Sequence, residues 1–164
     1  MIGKYGLGSL TIGAVSVGMA IGPPDPPLTF NRSAPAAIAR LAARERIVEG
    51  TGLGSLTLDG ARLDEGAVRI RIARAGDAKT VRCRVAVHAV SPETSRAEVD
   101  CSQARAGDAM MQVGTQALTL IVREHVAATL EDRPYDVDRV ADRMIALVVA
   151  SRPAIAGELA TQGQ

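Results

Sequence analysis

The stretch from Ala67 to Ser102 alternates apolar and polar residues in three successive runs, and this alternation constrains the fold more than any other feature. A period of two sends alternate side chains to opposite faces of a β-strand, so one face is buried and the other solvated. The sequence therefore predicts three strands of an antiparallel sheet with one apolar face. Its apolar positions are Val68, Ile70 and Ile72, then Val81, Cys83, Val85, Val87 and Ala89, then Ala97, Val99 and Cys101.

Two short turn sequences predict how these strands pair. Gly76-Asp77 joins the first two runs, and Ser91-Pro92-Glu93 joins the second and third. A hairpin centred on Pro92 pairs residues that are equally far from it, and therefore sets Cys83 opposite Cys101. Cβ atoms directly opposite each other lie about 4.5–5.5 Å apart, and a disulfide needs about 3.5–4.5 Å. We expect the two cysteines to form a disulfide.

The N-terminal residues 1–22 predict export. Lys4 precedes a charge-free run from Gly6 to Gly22 with small residues at Gly18 and Ala20, which is typical of a cleaved secretory signal peptide. The alternatives are a membrane anchor through residues 5–22, since about 20 residues span a bilayer, and a buried N-terminal segment. Disulfides persist in oxidising compartments, so we expect a periplasmic or cell-envelope protein.

The rest of the chain predicts one α+β domain. Residues 23–27 form a proline-rich linker, residues 28–156 a single domain, and residues 157–164 a flexible tail. A first strand at Leu28–Asn31 leads into a helix from Ser33 to about Ile47, whose predicted inward face consists of Ala34, Ile38, Leu41 and Ala42. The glycine-rich segment 50–54 is interpreted as a flexible connection rather than a phosphate loop, because a helix precedes it and a strand follows it.

Two helices are predicted after the sheet. The first is long, begins at Asp108 and ends before Pro134. The second begins at Asp136 and stops at Pro153. Its predicted inward face consists of Val137, Val140, Ala141, Met144, Ile145, Val148 and Val149.

Few residues could support catalysis or nucleic-acid binding. The net charge is +1 and the chain has one Phe and no Trp, so no nucleic-acid partner is expected. Only His88 and His125 could act as a histidine base, and no Gly-x-Ser-x-Gly or Cys-x-x-Cys motif is present. We expect no catalytic residues, no metal site and no cofactor, and the sequence leaves enzymatic activity open.

His125 lies in the middle of an apolar face of the predicted long helix. It is either a hydrogen-bonded core residue or the one polar group of a ligand cavity. The arginines on the polar face of the sheet are interpreted as solvated, and an anionic partner is the alternative. These arginines are Arg69, Arg71, Arg82 and Arg84.

The order of predicted elements resembles the START-like, polyketide-cyclase type of helix-grip domain. A short strand enters a helix through Ser33-Ala34-Pro35-Ala36-Ala37-Ile38, a meander follows, and a long helix closes the unit. The resemblance covers about Leu28 to Leu130, with about five predicted strands where the family usually has six or seven. It implies an apolar pocket between sheet and helix, lined by Ile70, Ile72, Val85, Val87, Val99, Leu118, Ile121 and His125.

Two functions follow as expectations. The first is an exported envelope protein that binds a small apolar molecule or lipid in this pocket without catalysing a reaction. The alternative is a structural or protein-interaction domain of the envelope with a solid core and no ligand. A homo-oligomer is compatible with both.

Overall fold

The computed structural model describes residues 26–101 and 109–162. The predicted signal peptide or anchor at residues 1–22 and the predicted helix cap Asp108 lie outside these residues. Within them the chain forms six strands and three helices. The strands are β1 Leu28–Phe30, β2 Glu45–Val48, β3 Leu56–Arg62, β4 Ala67–Arg74, β5 Thr80–Ser91 and β6 Thr94–Asp100, and the helices are α1 Ala34–Ala43, α2 Ala109–Leu130 and α3 Val137–Gln162.

The strands form one antiparallel sheet in the order β1-β6-β5-β4-β3-β2. The predicted hairpin register is confirmed, since Arg84 pairs with Asp100 and Val85 with Val99. One face of β4, of β5 as far as Val87 and of β6 is buried, and the arginines of the other face are exposed. Ala89, predicted on the buried face, is exposed. The α+β class is therefore confirmed. The meander followed by C-terminal helices is compatible with a helix-grip layout, and it has six strands rather than the predicted five.

Cys83 and Cys101 form the predicted disulfide, with their Cα atoms 4.2 Å apart. The bond lies one residue beyond the last β5–β6 pair, Arg84 and Asp100. Both cysteines are buried in the hydrophobic core. The disulfide therefore closes the β5–β6 hairpin from its open end.

Helix α1 ends earlier than predicted. It stops at Ala43, and Glu45–Val48 forms the edge strand β2, paired with β3, instead of extending the helix to Ile47. The β-branched residues Ile47 and Val48 favour a strand, and β3 supplies the backbone partners that another helical turn would have supplied. As predicted, Ile38 and Leu41 are buried.

Strand β3 passes directly against the end of α1, and Gly60 makes this contact possible. A Cβ atom at Gly60 would lie 2.0 Å from the Leu41 carbonyl oxygen. Any side chain at this position would push the helix away from the sheet. The approach fixes α1, and the arginines that follow it, against the β2–β3 edge of the sheet.

Helix α3 begins as predicted and ends later than predicted. The Asp136 Oδ1 atom accepts a hydrogen bond from the Arg139 backbone N–H at 2.9 Å, so Asp136 is the N-cap. The helix continues through Pro153 to Gln162 and includes the first part of the predicted tail. Beyond the proline, the Glu158 carboxylate accepts the backbone N–H of Ala109 at 2.8 Å, which attaches this segment to the first residue of α2.

The predicted inward face of α3 is correct only near its start. Val140 is buried and Met144 packs against the core. Ile145, Val148 and Val149 are 63%, 47% and 52% exposed, so the prediction that they are buried is wrong. The core lies between the sheet, α1 and α2, and α3 packs against α2 with only its first turns close to that core.

Candidate functional site: a basic cleft

The predicted pocket residues lie together in the hydrophobic core. Ile70, Ile72, Val85, Val87 and Ile121 are buried members of the core, and Val99 and Leu118 pack against it. His125 is fully buried. Ligand binding between sheet and helix stays a prediction, and His125 is the polar residue among these predicted lining residues.

A cleft of about 530 Å³ opens where the end of α1, strand β2 and the α2–α3 turn meet. Four of the residues that line it are arginines, and we call it the basic cleft. Its lining residues are Arg40, Ala43, Arg44, Arg46, Ala128, Thr129, Asp132, Arg133 and Pro134.

The backbone explains why the arginines converge there. Arg40 lies in the last turn of α1, and Arg44 directly follows the helix with an extended backbone. On β2, Arg46 lies on the same face of the sheet as the buried Val48, because alternate side chains of a strand lie on the same face. Arg46 is consequently half-buried at the edge of the sheet instead of pointing into solvent.

Two arginines cap the end of α2. The Arg40 Nε atom donates to the Thr129 carbonyl at 2.9 Å, and the Arg32 Nη2 atom donates to the Leu130 carbonyl at 3.3 Å. Both guanidinium groups also form ion pairs with Asp132, which has a left-handed backbone with φ of 58°. Cations at the carboxyl end of a helix offset its dipole, so Arg40 and Arg32 have a structural role and a carboxylate partner.

Arg133 is also neutralised. Its guanidinium forms ion pairs with both oxygens of the buried Glu124 and with Glu131. The hydrogen bonds that Arg133 donates, chiefly to Glu124, raise its pKa. Glu124 also accepts the backbone N–H of Asp136 at 3.0 Å and therefore fixes the turn between α2 and α3.

Arg44 and Arg46, in contrast, form no ion pair with any residue in 26–101 or 109–162. The Arg46 guanidinium carbon lies 5.7 Å from the centroid of the Tyr135 ring, a cation–π contact. Burial and the charge of Arg44 lower the pKa of Arg46. Arg46 is thus a partly desolvated cation beside a second cation.

Two buried polar atoms at the cleft have no hydrogen-bond partner: the Nε atom of Arg46 and the Oγ1 atom of Thr129. His125 lies four residues before Thr129 and therefore one turn away on the same face of α2. Neither of its ring nitrogens is hydrogen-bonded. Burial and the charges of Arg46 and Arg44 lower the pKa of His125 to about 4.

Comparison with protein-family models, with curated protein sequences and with solved structures gives no significant match. Among residues 26–101 and 109–162, no three His, Cys, Asp or Glu side chains are placed to bind a metal ion. In the same part of the chain, no helix has the length and apolar character needed to cross a membrane.

The sequence prediction missed the basic cleft for an identifiable reason. It extended α1 through Arg46, and a helix places Arg46 on a different side of the element than strand β2 does. The available signal was the β-branched pair Ile47-Val48, which favours a strand. Thr129 had no distinguishing pattern in the sequence.

Proposed function

We propose that this protein is an exported, non-catalytic domain that binds a small ligand through an anionic group, a phosphate or a carboxylate, in the basic cleft. The observation that carries this proposal is Arg46, a half-buried guanidinium without a carboxylate partner, next to the equally unpaired Arg44. Arginine has five N–H donors and stays charged, so it suits binding of an anion better than acid–base catalysis.

An anion at this position would relieve two unfavourable energies. It would offset the repulsion between Arg44 and Arg46, and it would compensate for the partial desolvation of Arg46. The Nε atom of Arg46 and the hydroxyl of Thr129 are buried and form no hydrogen bond within the protein, and they would supply hydrogen bonds to the ligand once their side chains turn toward the cleft. Each of these terms favours the bound state, and the two electrostatic terms disappear if the ligand has no negative charge.

The size of the cleft indicates a ligand larger than an inorganic ion. Its volume of about 530 Å³ lies within the range of about 300–1,000 Å³ that is typical of small-molecule sites. The wall also contains Ala43, Ala128 and Pro134, which can contact an apolar part of the ligand. Phosphate or acetate should therefore bind only as a weak substitute for the ligand.

Two features support the exported location. The chain has a disulfide, which is stable in oxidising compartments, and a charge-free N-terminal run of the kind found in secretory signal peptides. We also infer that the chain is a divergent relative of START-like domains. Support for this relationship comes from the strand order and from a helix inserted after the first strand.

A phosphate titration tests the proposed function. We expect phosphate to raise the melting temperature of the wild-type protein saturably, because it binds the folded state only. Arg46→Met removes the charge and keeps an apolar side chain of similar length, and it should abolish this response. Arg69→Gln is the matched control, since Arg69 is exposed on the outer face of the sheet, and it should respond like the wild type.

Acetate in place of phosphate distinguishes the two ligand classes, because the stronger stabiliser identifies the preferred anionic group. An equal response of Arg46→Met and wild type, or no saturable response of the wild type to either anion, would contradict an anion site at Arg46.

A second candidate function is the predicted binding of an apolar molecule between the sheet and α2. One observation favours it: His125 is fully buried in this region, and both of its ring nitrogens lack a partner. A ligand with one polar group could supply that partner. This site lies between the sheet and α2 rather than in the basic cleft, so His125→Leu, and not Arg46→Met, is the variant that should remove binding of such a ligand.

A further inference from the structure

On one exposed face of helix α3, an acidic residue, two apolar residues and a basic residue follow one another. Asp142, Ile145, Val149 and Arg152 are spaced by three, four and three residues, which places them on one face of the helix. All four are exposed. We call this face the α3 stripe, and its order is acid, apolar, apolar, base.

We propose that the α3 stripe is a dimer interface, in which a second copy of this chain binds with its α3 antiparallel to the first. A two-fold axis at the level of Leu147 sets Ile145 of one copy opposite Val149 of the other. The same axis sets each Asp142 opposite the Arg152 of the other copy. A two-fold interface must be complementary to itself, and this sequence of groups has that property.

The charges favour a second copy over an unrelated partner. Neither Asp142 nor Arg152 forms an ion pair with a residue in 26–101 or 109–162. In the antiparallel pair both carboxylates and both guanidinium groups obtain partners. The two ion pairs lie on either side of the apolar centre, about 15 Å apart along the helix. A parallel arrangement would instead bring like charges together.

The neighbouring loop extends the surface available to the second copy. A groove of about 410 Å³ lies between α3 and the glycine-rich loop, and most of its lining is apolar. It includes Gly50 and Gly52 on one side and Ile145, Val148 and Val149 on the other. The partner helix would fill this groove. A helix pair with one loop buries less area than a typical permanent dimer, so we expect a concentration-dependent dimer of roughly micromolar affinity.

A charge-reversal cycle tests this proposal by sedimentation of the protein at several concentrations. The wild type should shift from monomer to dimer as the concentration rises to about 0.5 mM. Asp142→Arg alone should weaken dimerisation by about tenfold, because two arginines then face each other, and Arg152→Asp alone should do the same. The double variant Asp142→Arg/Arg152→Asp should return to within about threefold of the wild type, since the pairs are restored with their charges exchanged.

Two further variants complete the design. Ile145→Asp should weaken the dimer by about a hundredfold, because it places charge at the centre of the interface. Glu65→Arg, an exposed charge reversal in the β3–β4 turn, should leave the dimer unchanged. All substituted side chains are exposed, so unchanged thermal melting of dilute protein would show that the fold is retained.

A protein that stays monomeric up to about 0.5 mM would overturn the proposal. So would single variants that dimerise as well as the wild type, or a double variant that stays as weak as the singles. Binding to vesicles by a monomeric protein would assign the stripe to a lipid surface instead. None of these outcomes depends on the basic cleft, so the two proposals succeed or fail separately.

Discussion

At the scale of single residues, His125 shows how burial controls charge. It is fully buried in the core, neither ring nitrogen has a hydrogen-bond partner, and the charges of Arg46 and Arg44 are close enough to act on it. Both the low-dielectric surroundings and the nearby cations disfavour protonation. The pKa of His125 is consequently lowered from 6.5 to about 4, and the ring is neutral at pH 7.

This pKa predicts that stability depends on pH. The unfolded chain has a histidine of ordinary pKa, so between pH 6.5 and pH 4 it binds more protons than the folded protein does. The free energy of unfolding should therefore fall as the pH is lowered through this window, by about 3 kcal/mol once the pH is below both pKa values. Urea unfolding at several pH values between 7 and 4 measures the effect.

Two variants separate His125 from other titrating groups. His125 has no hydrogen-bond partner, so His125→Leu leaves no polar group unpaired. This variant should be at least as stable as the wild type at pH 7. It should also lose most of the dependence of stability on pH. His88→Leu changes an exposed residue of β5 and should keep the pH dependence of the wild type. An identical pH profile for His125→Leu and wild type would show that His125 does not titrate as proposed.

At the scale of elements, the backbone of β3 at Gly60 approaches the end of α1 so closely that no side chain fits between them. The sequence predicted that a helix precedes the sheet, and the periodicity of its buried residues identified Ile38 and Leu41 correctly. It could not predict the end of α1, because that end is determined by the pairing of β2 with β3. Similarly, the exposure of Ile145 depends on how α3 packs against α2, and the apolar periodicity of α3 does not indicate this packing.

Gly60→Ala should therefore destabilise the protein. The added Cβ would lie 2.0 Å from the Leu41 carbonyl oxygen, and relieving that clash requires a backbone shift costing about 1–3 kcal/mol. Gly157→Ala is the matched control, because the space around this helical glycine is open, and alanine there should stabilise α3 by up to about 1 kcal/mol. Both changes are measured by urea unfolding, and equal stability of Gly60→Ala and wild type would show that the approach is looser than described.

At the scale of the whole molecule, a feature could be predicted from the sequence when the residues that form it lie close together in the chain. The β5–β6 register and the disulfide were predicted because a single turn determines both. The basic cleft was not, because it combines arginines of α1 and β2 with Thr129 of α2, which are far apart in the sequence. Arg46 becomes a half-buried cation without a carboxylate partner only when these elements pack together.

The disulfide should be a main contribution to the stability of the whole fold. It joins residues 18 positions apart, and a loop of this length stabilises the folded state by about 3 kcal/mol through restriction of the unfolded chain. Protein that is unfolded, reduced and refolded in reductant should melt roughly 6–12 °C lower than oxidised protein. Reduction in the unfolded state is necessary because both cysteines are buried. The double variant Cys83→Ala/Cys101→Ala should melt at the same temperature with and without reductant. The prediction is contradicted if reductant lowers the melting temperature of this variant as much as that of the wild type. It is also contradicted if the protein as isolated contains free thiols.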